Sequence, residues 1–138
     1  MKLNSIVANA HYDNAHGEPK VIEKDNDGSF VYRFNIKPEM SVPEGNVEGE
    51  GGNEEKQVGF SCCEVRVWEH PTKPVLKKAI IRSVLDETAE FDLVNSYNKD
   101  AMGIKKDAKA VEEYKEYLQF TEDVDAMLVA DLSNYPIW

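Results

Sequence analysis

Residues that could take part in chemistry are few in this chain, and they stand apart from one another. The two cysteines, Cys62 and Cys63, are neighbours in an alternating run typical of a β-strand. Because side chains of a strand alternate between its faces, one thiol is expected to point inward and the other to lie at the surface. This arrangement disfavours a disulfide between them and a shared zinc site. We therefore expect neither redox nor metal chemistry from the cysteines.

Two other polar groups have the composition of a metal site without its spacing. The first consists of His11, Asp13, His16 and Glu18. Its spacing matches no established ligand pattern. The second, at residues 25–28, resembles the start of a calcium loop, but Gly28 comes too early and no glutamate occupies the bidentate position. The sequence predicts no metal ligand in either group.

Catalysis needs groups that converge, and the sequence shows none. No histidine lies near a plausible nucleophile, and the carboxylates are spread over predicted helix faces. The segment 37–56 is rich in glycine but lacks the Gly-Lys-Ser/Thr sequence of a P-loop, and its carboxylates would repel phosphate. We predict no enzyme activity, no catalytic or cofactor-binding residue and no cofactor.

The charge of the chain limits the classes of partner. The formal net charge is −10 and the isoelectric point is near 4.7. Nucleic-acid binding needs clustered Lys and Arg to neutralise phosphates, so we predict no direct nucleic-acid partner. No apolar stretch approaches the roughly 20 residues of a membrane span, and the N-terminal residues have no apolar run of signal-peptide length. We expect no membrane partner, and a protein that stays in the cytoplasm or in a particle assembled there.

The sequence predicts a single α+β domain over residues 1–138, in which strands and then helices would position these residues. Antiparallel strands are predicted near 20–23, 29–36 and 58–69, followed by helices at about 74–84, 87–102 and 107–132. Asp27-Gly28 is a hairpin turn between the first two strands. The aromatic face with Phe30 and Tyr32 is expected to be buried. The short link before the last helix predicts an antiparallel helical hairpin over the sheet.

Two segments lie outside this regular pattern. Residues 1–19 predict an irregular N-terminal arm, with a short strand at 5–8. Residues 37–56 predict a mobile acidic loop, because glycine and glutamate cannot bury enough apolar surface to offset the entropy lost on ordering. Such a loop either contacts a partner or only connects two strands, and the sequence leaves both open.

Exposed aromatic and acidic residues are the candidates for contact with a protein partner. If Val65 and Val67 face the core, then Phe60 and Trp68 form an aromatic flank, which either binds a partner or is covered by the loop or a helix. The basic residues of the first helix, Lys78 among them, are expected to form a solvated face. The interaction candidates are Glu44, Glu48, Glu50, Glu54, Glu55, Phe60, Trp68, Tyr135 and Trp138.

Four segments together resemble a family of proteins. They are CCEVRVW at 62–68, KAIIR at 78–82, LVNSYN at 93–98 and YKEYL at 114–118. Over about residues 59–132 the chain resembles small structural or particle-associated proteins of phages and prophages of gut Bacteroidales, with crAss-like phages among the candidates. The resemblance implies a virion, tail or fibre-region protein that binds other phage structural proteins or itself, and no enzyme activity. It transfers no functional residues.

Three functions follow as expectations. The leading one is a virion component that attaches to a larger assembly. The alternatives are a phage-encoded anti-defence inhibitor, whose acidic surface occupies a basic nucleic-acid groove, and a chaperone for tail or fibre assembly.

Overall fold

The computed structural model describes residues 1–41 and 56–135. Four strands form an antiparallel sheet in the order β1-β4-β3-β2, and three helices follow. The strands are β1 (Ala10–Asp13), β2 (Ile22–Lys24), β3 (Phe30–Ser41) and β4 (Lys56–Val67). The helices are α1 (Lys73–Val84), α2 (Glu87–Ala101) and α3 (Ala108–Asn134). The predicted α+β class, with a helical hairpin after the sheet, is confirmed.

The hairpin of β2 and β3 forms at the predicted turn. The Asp25 N–H donates to the Ser29 carbonyl at 2.8 Å, and Gly28 has a φ of 90°, which favours glycine. β3 continues to Ser41, so residues 37–41 are strand rather than the predicted loop. The pairing shifts register after Phe34, where Asn35 has a φ of 53°. This β-bulge interrupts the alternation, and for that reason the sequence pattern appeared to end there.

The predicted irregular arm at residues 1–19 contains strand β1, which adds a strand to the three that the sequence predicts. β1 lies at residues 10–13 rather than 5–8, and it pairs with β4, with Ala10 opposite Cys62 and Asp13 opposite Gly59. Two short 3-10 turns flank it, at Leu3–Ser5 and Asn14–His16. A four-residue strand is too short to show a clear period, and its conformation depends on pairing with a distant segment.

Helices α1 and α3 cover one face of the sheet and close the core. The core cluster consists of Ile22, Phe30, Tyr32, Phe34, Cys63, Val65, Val67, Leu76, Ile80, Ile81, Phe120, Val124 and Leu128. The hydroxyl of Tyr32, which is fully buried, donates to Asp131 at 2.5 Å and joins β3 to α3. The aromatic face of β3 is therefore buried, as predicted. α2 contributes no buried residue and packs on α3, with Tyr97 stacked on Tyr114 at 4.5 Å between ring centroids.

The helix starts show how the chain breaks between helices. Asp86 caps α2 by accepting from the Ala89 N–H, and Asp107 caps α3 by accepting from the Ala110 N–H. Thr72 is the N-cap of α1 and makes no side-chain capping hydrogen bond. None of the described helices is long and apolar enough to span a membrane.

We predict that Gly59→Ala detaches β1. A Cβ built at Gly59 would lie 1.9 Å from the carbonyl oxygen of Tyr12, a backbone atom that moves only if β1 moves. The expected loss in the free energy of unfolding is about 3 kcal/mol, measured by urea denaturation. Ser61→Ala on the same strand is the control, with an expected change below about 0.5 kcal/mol. Equal stability of Gly59→Ala and wild type would show that β1 does not approach β4 this closely.

Candidate protein-interaction site

The sheet face that carries no helix is organised around a buried arginine. Arg33 of β3 is 7% exposed. Its Nε donates to Glu64 of β4 at 2.7 Å and to the hydroxyl of Tyr12 of β1 at 3.1 Å. Its terminal nitrogens donate to Glu23 of β2 at 3.0 Å and to the Lys20 carbonyl at 3.0 Å. One guanidinium thus connects all four strands. We call Tyr12, Glu23, Arg33 and Glu64 the Arg33 cluster.

The electrostatics of the Arg33 cluster favour its charged, hydrogen-bonded form. Burial opposes the charge of Arg33, but hydrogen bonds to Glu64, Tyr12 and Glu23 outweigh burial and raise its pKa. The hydroxyl of Tyr12 also donates to Glu64, and burial together with this bond raises the pKa of Tyr12. A surface concavity of about 520 Å³ lies beside the cluster. Because Arg33 directs its donors at protein acceptors, we interpret the cluster as structural.

The cysteines differ from their predicted placement. Cys62 and Cys63 are both buried, so the expected surface thiol is wrong. Cys62 lies on the face without helices, where Ala10 of β1 pairs with it and the charges of Glu64 and Arg33 are close. Burial, and then the nearby charge of Glu64, raise the pKa of Cys62 to about 11. Within residues 1–41 and 56–135, no group of three or more His, Cys, Asp or Glu side chains is placed to hold a metal ion.

Trp68 is the most exposed of the described aromatic contact candidates, and it lies in a groove. Trp68, just after β4, is 68% exposed. It borders a concavity of about 470 Å³ between the end of β4 and one side of α1. We call this the Trp68 groove, and its lining consists of Val67, Trp68, Glu69, Pro74, Val75, Lys78, Ala79 and Arg82. The α1 wall follows the helical spacing i, i+3, i+4, i+7, so one stripe of the helix faces the groove.

The cations of α1 differ from one another in their contacts. Lys77 pairs with Asp125 at 3.1 Å, and Arg82 pairs with Glu90 at 2.9 Å. These two residues join α1 to α3 and α2, so the predicted solvated basic face is wrong for them. Lys78 is exposed and makes no ion pair with any described residue. Among the described residues that line the groove, it is the cation without an ion pair.

The other predicted contact residues are dispersed. Phe60 is half-buried and lies opposite Tyr12 and Pro38, eight positions before Trp68 and therefore about 26 Å away along the strand. The expected continuous aromatic flank does not form. Tyr135 is half-buried against the core cluster. The remaining candidates, Glu44, Glu48, Glu50, Glu54, Glu55 and Trp138, lie outside the described residues.

The groove also contains residues that sequence reasoning missed. Val75 and Ala79 are partly buried against the core cluster, yet both also line the groove. The spacing of Val75, Lys78, Ala79 and Arg82 was the available signal for this second stripe. The sequence could not show that none of the described helices covers this stripe.

Comparisons with protein-family models, with curated proteins and with solved structures found no match to this chain. Support for a function therefore comes from the side chains and the open surfaces of the fold itself. Of these surfaces, the Trp68 groove combines an exposed aromatic ring, apolar walls and an accessible charge.

We predict that Arg33→Met lowers the free energy of unfolding by about 3–5 kcal/mol, because it leaves Glu64 partly buried without its cation. In the double variant Arg33→Met/Glu64→Leu, the partly buried carboxylate is removed together with its cation, and Glu23, which also loses Arg33, is 45% exposed and keeps its charge in water, so more than half of that loss should be recovered. Urea denaturation of wild type, Arg33→Met, Glu64→Leu and the double variant gives the coupling free energy between the two side chains. Strict additivity of the two single losses would contradict the proposed role of the cluster.

We predict that neither thiol reacts in the folded protein. At about pH 8 an unfolded cysteine is partly ionised, whereas Cys62, with a pKa of about 11, is protonated and inaccessible. Labelling by an aromatic disulfide reagent should be at least about a hundredfold slower than for free cysteine. It should accelerate to the free rate in denaturing urea. A native thiol that reacts at the free rate would restore the surface-thiol prediction.

Proposed function

We propose that this chain is a non-enzymatic binding module that attaches to a larger phage assembly through the Trp68 groove. The observation that carries the proposal is the exposure of Trp68 at the edge of a groove with apolar walls. Exposing a large aromatic ring costs solvation free energy that binding recovers, and tryptophan is enriched among the residues that dominate protein interfaces.

The composition of the groove fits a protein partner. Val75 and Ala79 supply apolar contact area beside the Trp68 ring, while Lys78 and Glu69 add charged groups to the lining. This pattern of an aromatic anchor beside apolar walls and a polar rim is typical of binding surfaces. The groove has a defined shape because α1 and β4 both belong to the core through Leu76, Ile80 and Val65.

The phage context of the proposal comes from the family resemblance. Two of the four resembling segments, 62–68 and 78–82, contribute Val67, Trp68, Lys78, Ala79 and Arg82 to the groove. The partners proposed are other phage structural proteins or a second copy of the chain, and the proposed location is the virion. We propose no direct contact with nucleic acid, because a chain with a net charge of −10 repels phosphate groups.

We predict that Trp68→Ala removes the protein from purified particles. Particles are produced from cells that carry wild type, Trp68→Ala or Phe91→Ala, and the protein is quantified by mass spectrometry. Phe91 on α2 is 65% exposed and does not line the groove, so it matches Trp68 in exposure and serves as the control. The amount of the Trp68→Ala protein in particles should fall at least about tenfold, which corresponds to about 1.4 kcal/mol of binding free energy. The amount of the Phe91→Ala protein should stay at the wild-type level.

Two results would contradict this proposal. Wild-type protein that is absent from finished particles but bound to unassembled fibre or tail protein would indicate an assembly chaperone. Equal incorporation of wild type and Trp68→Ala would show that the groove is not the attachment surface. Both variants change exposed side chains, so their urea denaturation midpoints should match the wild-type midpoint.

A further inference from the structure

We infer that the Trp68 groove accepts an extended, acidic peptide segment of a partner protein, which pairs as an additional strand with the open edge of β4. This inference rests on the proposed function and specifies the form and chemistry of the partner. Three observations support it: the end of β1, the direction of the Arg66 backbone groups, and the charge of the groove.

The pairing of β1 with β4 stops before β4 ends. β1 covers only Gly59 to Cys62. At the next outward-facing position, the side chain of Asn9 takes the place of a strand, because its Nδ2 donates to the Glu64 carbonyl at 3.0 Å and its Oδ1 accepts from the Glu64 N–H at 2.8 Å. The Asn9 side chain thus satisfies both backbone groups of Glu64, and the open edge of β4 begins after Glu64.

The backbone groups of Arg66 lie at the following position of the same edge. The Arg33 N–H donates to the Val21 carbonyl on the β2 side, so its β4 partner Glu64 directs its backbone groups away from β3. By the alternation of a strand, Arg66 does the same. Among the described residues, neither the N–H nor the carbonyl of Arg66 has a hydrogen-bond partner. Unpaired groups on a sheet edge are a template for another strand.

The Trp68 groove is placed to hold the side chains of such a strand. An added strand lies about 4.8 Å from its neighbour and presents alternate side chains to each face of the sheet. Those on the helix side would contact Val75 and Ala79 of α1, with Trp68 at the end of the groove. A strand edge beside a helix is a recurring geometry for binding extended peptides, in which main-chain bonds supply affinity and side-chain pockets supply specificity.

One charge of the groove calls for a carboxylate on the peptide. The lining carries Glu69, Lys78 and Arg82. Arg82 is already paired with Glu90, whereas Lys78 is exposed and has no ion pair within the described part of the chain. Because Glu69 would repel a second carboxylate beside it, the groove favours a carboxylate at Lys78 rather than a run of acidic residues. A carboxylate on the added strand would give Lys78 its partner. Edge-to-edge pairing of two copies fits less well, because among the described residues each copy offers only the backbone groups of Arg66 on this edge, and Asn9 occupies the preceding position in both copies.

The test begins with the peptides that the protein selects. Random peptides of about eight residues, somewhat longer than an ordinary strand, are selected on the wild-type protein. They should converge on alternating apolar residues with at least one Glu or Asp. With the best peptide bound, hydrogen exchange of the Arg66 amide, followed by NMR, should slow at least about tenfold. The Glu64 amide, already bonded to Asn9, is the internal control and should change much less.

Matched variants separate the backbone bond from the side chain. Arg66→Ala keeps the N–H and should bind the peptide within about twofold of wild type. Arg66→Pro removes the N–H without removing a bond to β3 and should weaken binding at least about tenfold. If Arg66→Pro does not fold, N-methylation of alternate peptide amides in one register should weaken binding by the same factor. Lys78→Glu should weaken the binding of the acidic peptide and strengthen the binding of the same peptide with its Glu replaced by Lys.

Four outcomes would overturn the inference. They are the selection of no peptide, selection of peptides without a carboxylate, binding that leaves Arg66 exchange unchanged, and protection of Arg66 that appears with rising protein concentration alone. The last would indicate pairing of two copies. Loss of Trp68→Ala from particles with no change at Arg66 would retain the proposed function and reject the added strand. The reverse result would retain the added strand and reject the phage assembly.

Discussion

The buried guanidinium of Arg33 is the interaction on which the sheet depends. An antiparallel sheet commonly packs one face on the core and leaves the other to solvent, and the helices here cover one face. On the other face Arg33 donates to groups from β1, β2 and β4 at once. A buried ion pair adds little net stability over an apolar replacement, but breaking it is costly, because it leaves a charge without a partner. The cluster therefore specifies which strands meet, and β1, with its four residues, gains most from it.

The position of β1 decides where the edge of the sheet is open. Gly59 allows the backbone of β1 to approach β4, and β1 covers Cys62 and then leaves the edge. The remaining part of β4 runs to Trp68 and into the corner that starts α1. Pro71, within this corner, is fully buried, so the direction in which α1 leaves the sheet is set by packing. Trp68 is exposed because the chain turns away from the sheet at this point.

The periodic parts of the structure could be predicted from the sequence. α2 and α3 follow from apolar residues at helical spacing, and the aromatic face of β3 follows from a period of two. β1 could not be predicted, because its conformation comes from pairing with residues about 50 positions away in the chain. The burial of Arg33 was missed for the same reason: alternation placed it on an outward face, and only the assembled strands supply its acceptors. The open edge at Arg66 is likewise a consequence of where β1 ends.

We propose that the groove between the end of β4 and α1 is the surface that binds a partner protein. The most direct test of this proposal is site-specific photocrosslinking in particle-producing cells, with a photoreactive phenylalanine analogue in place of Trp68 and, separately, in place of Phe91. We expect a crosslink from position 68 to an extended acidic segment of another particle protein and none from position 91. A crosslink from position 91 together with none from position 68 would contradict it.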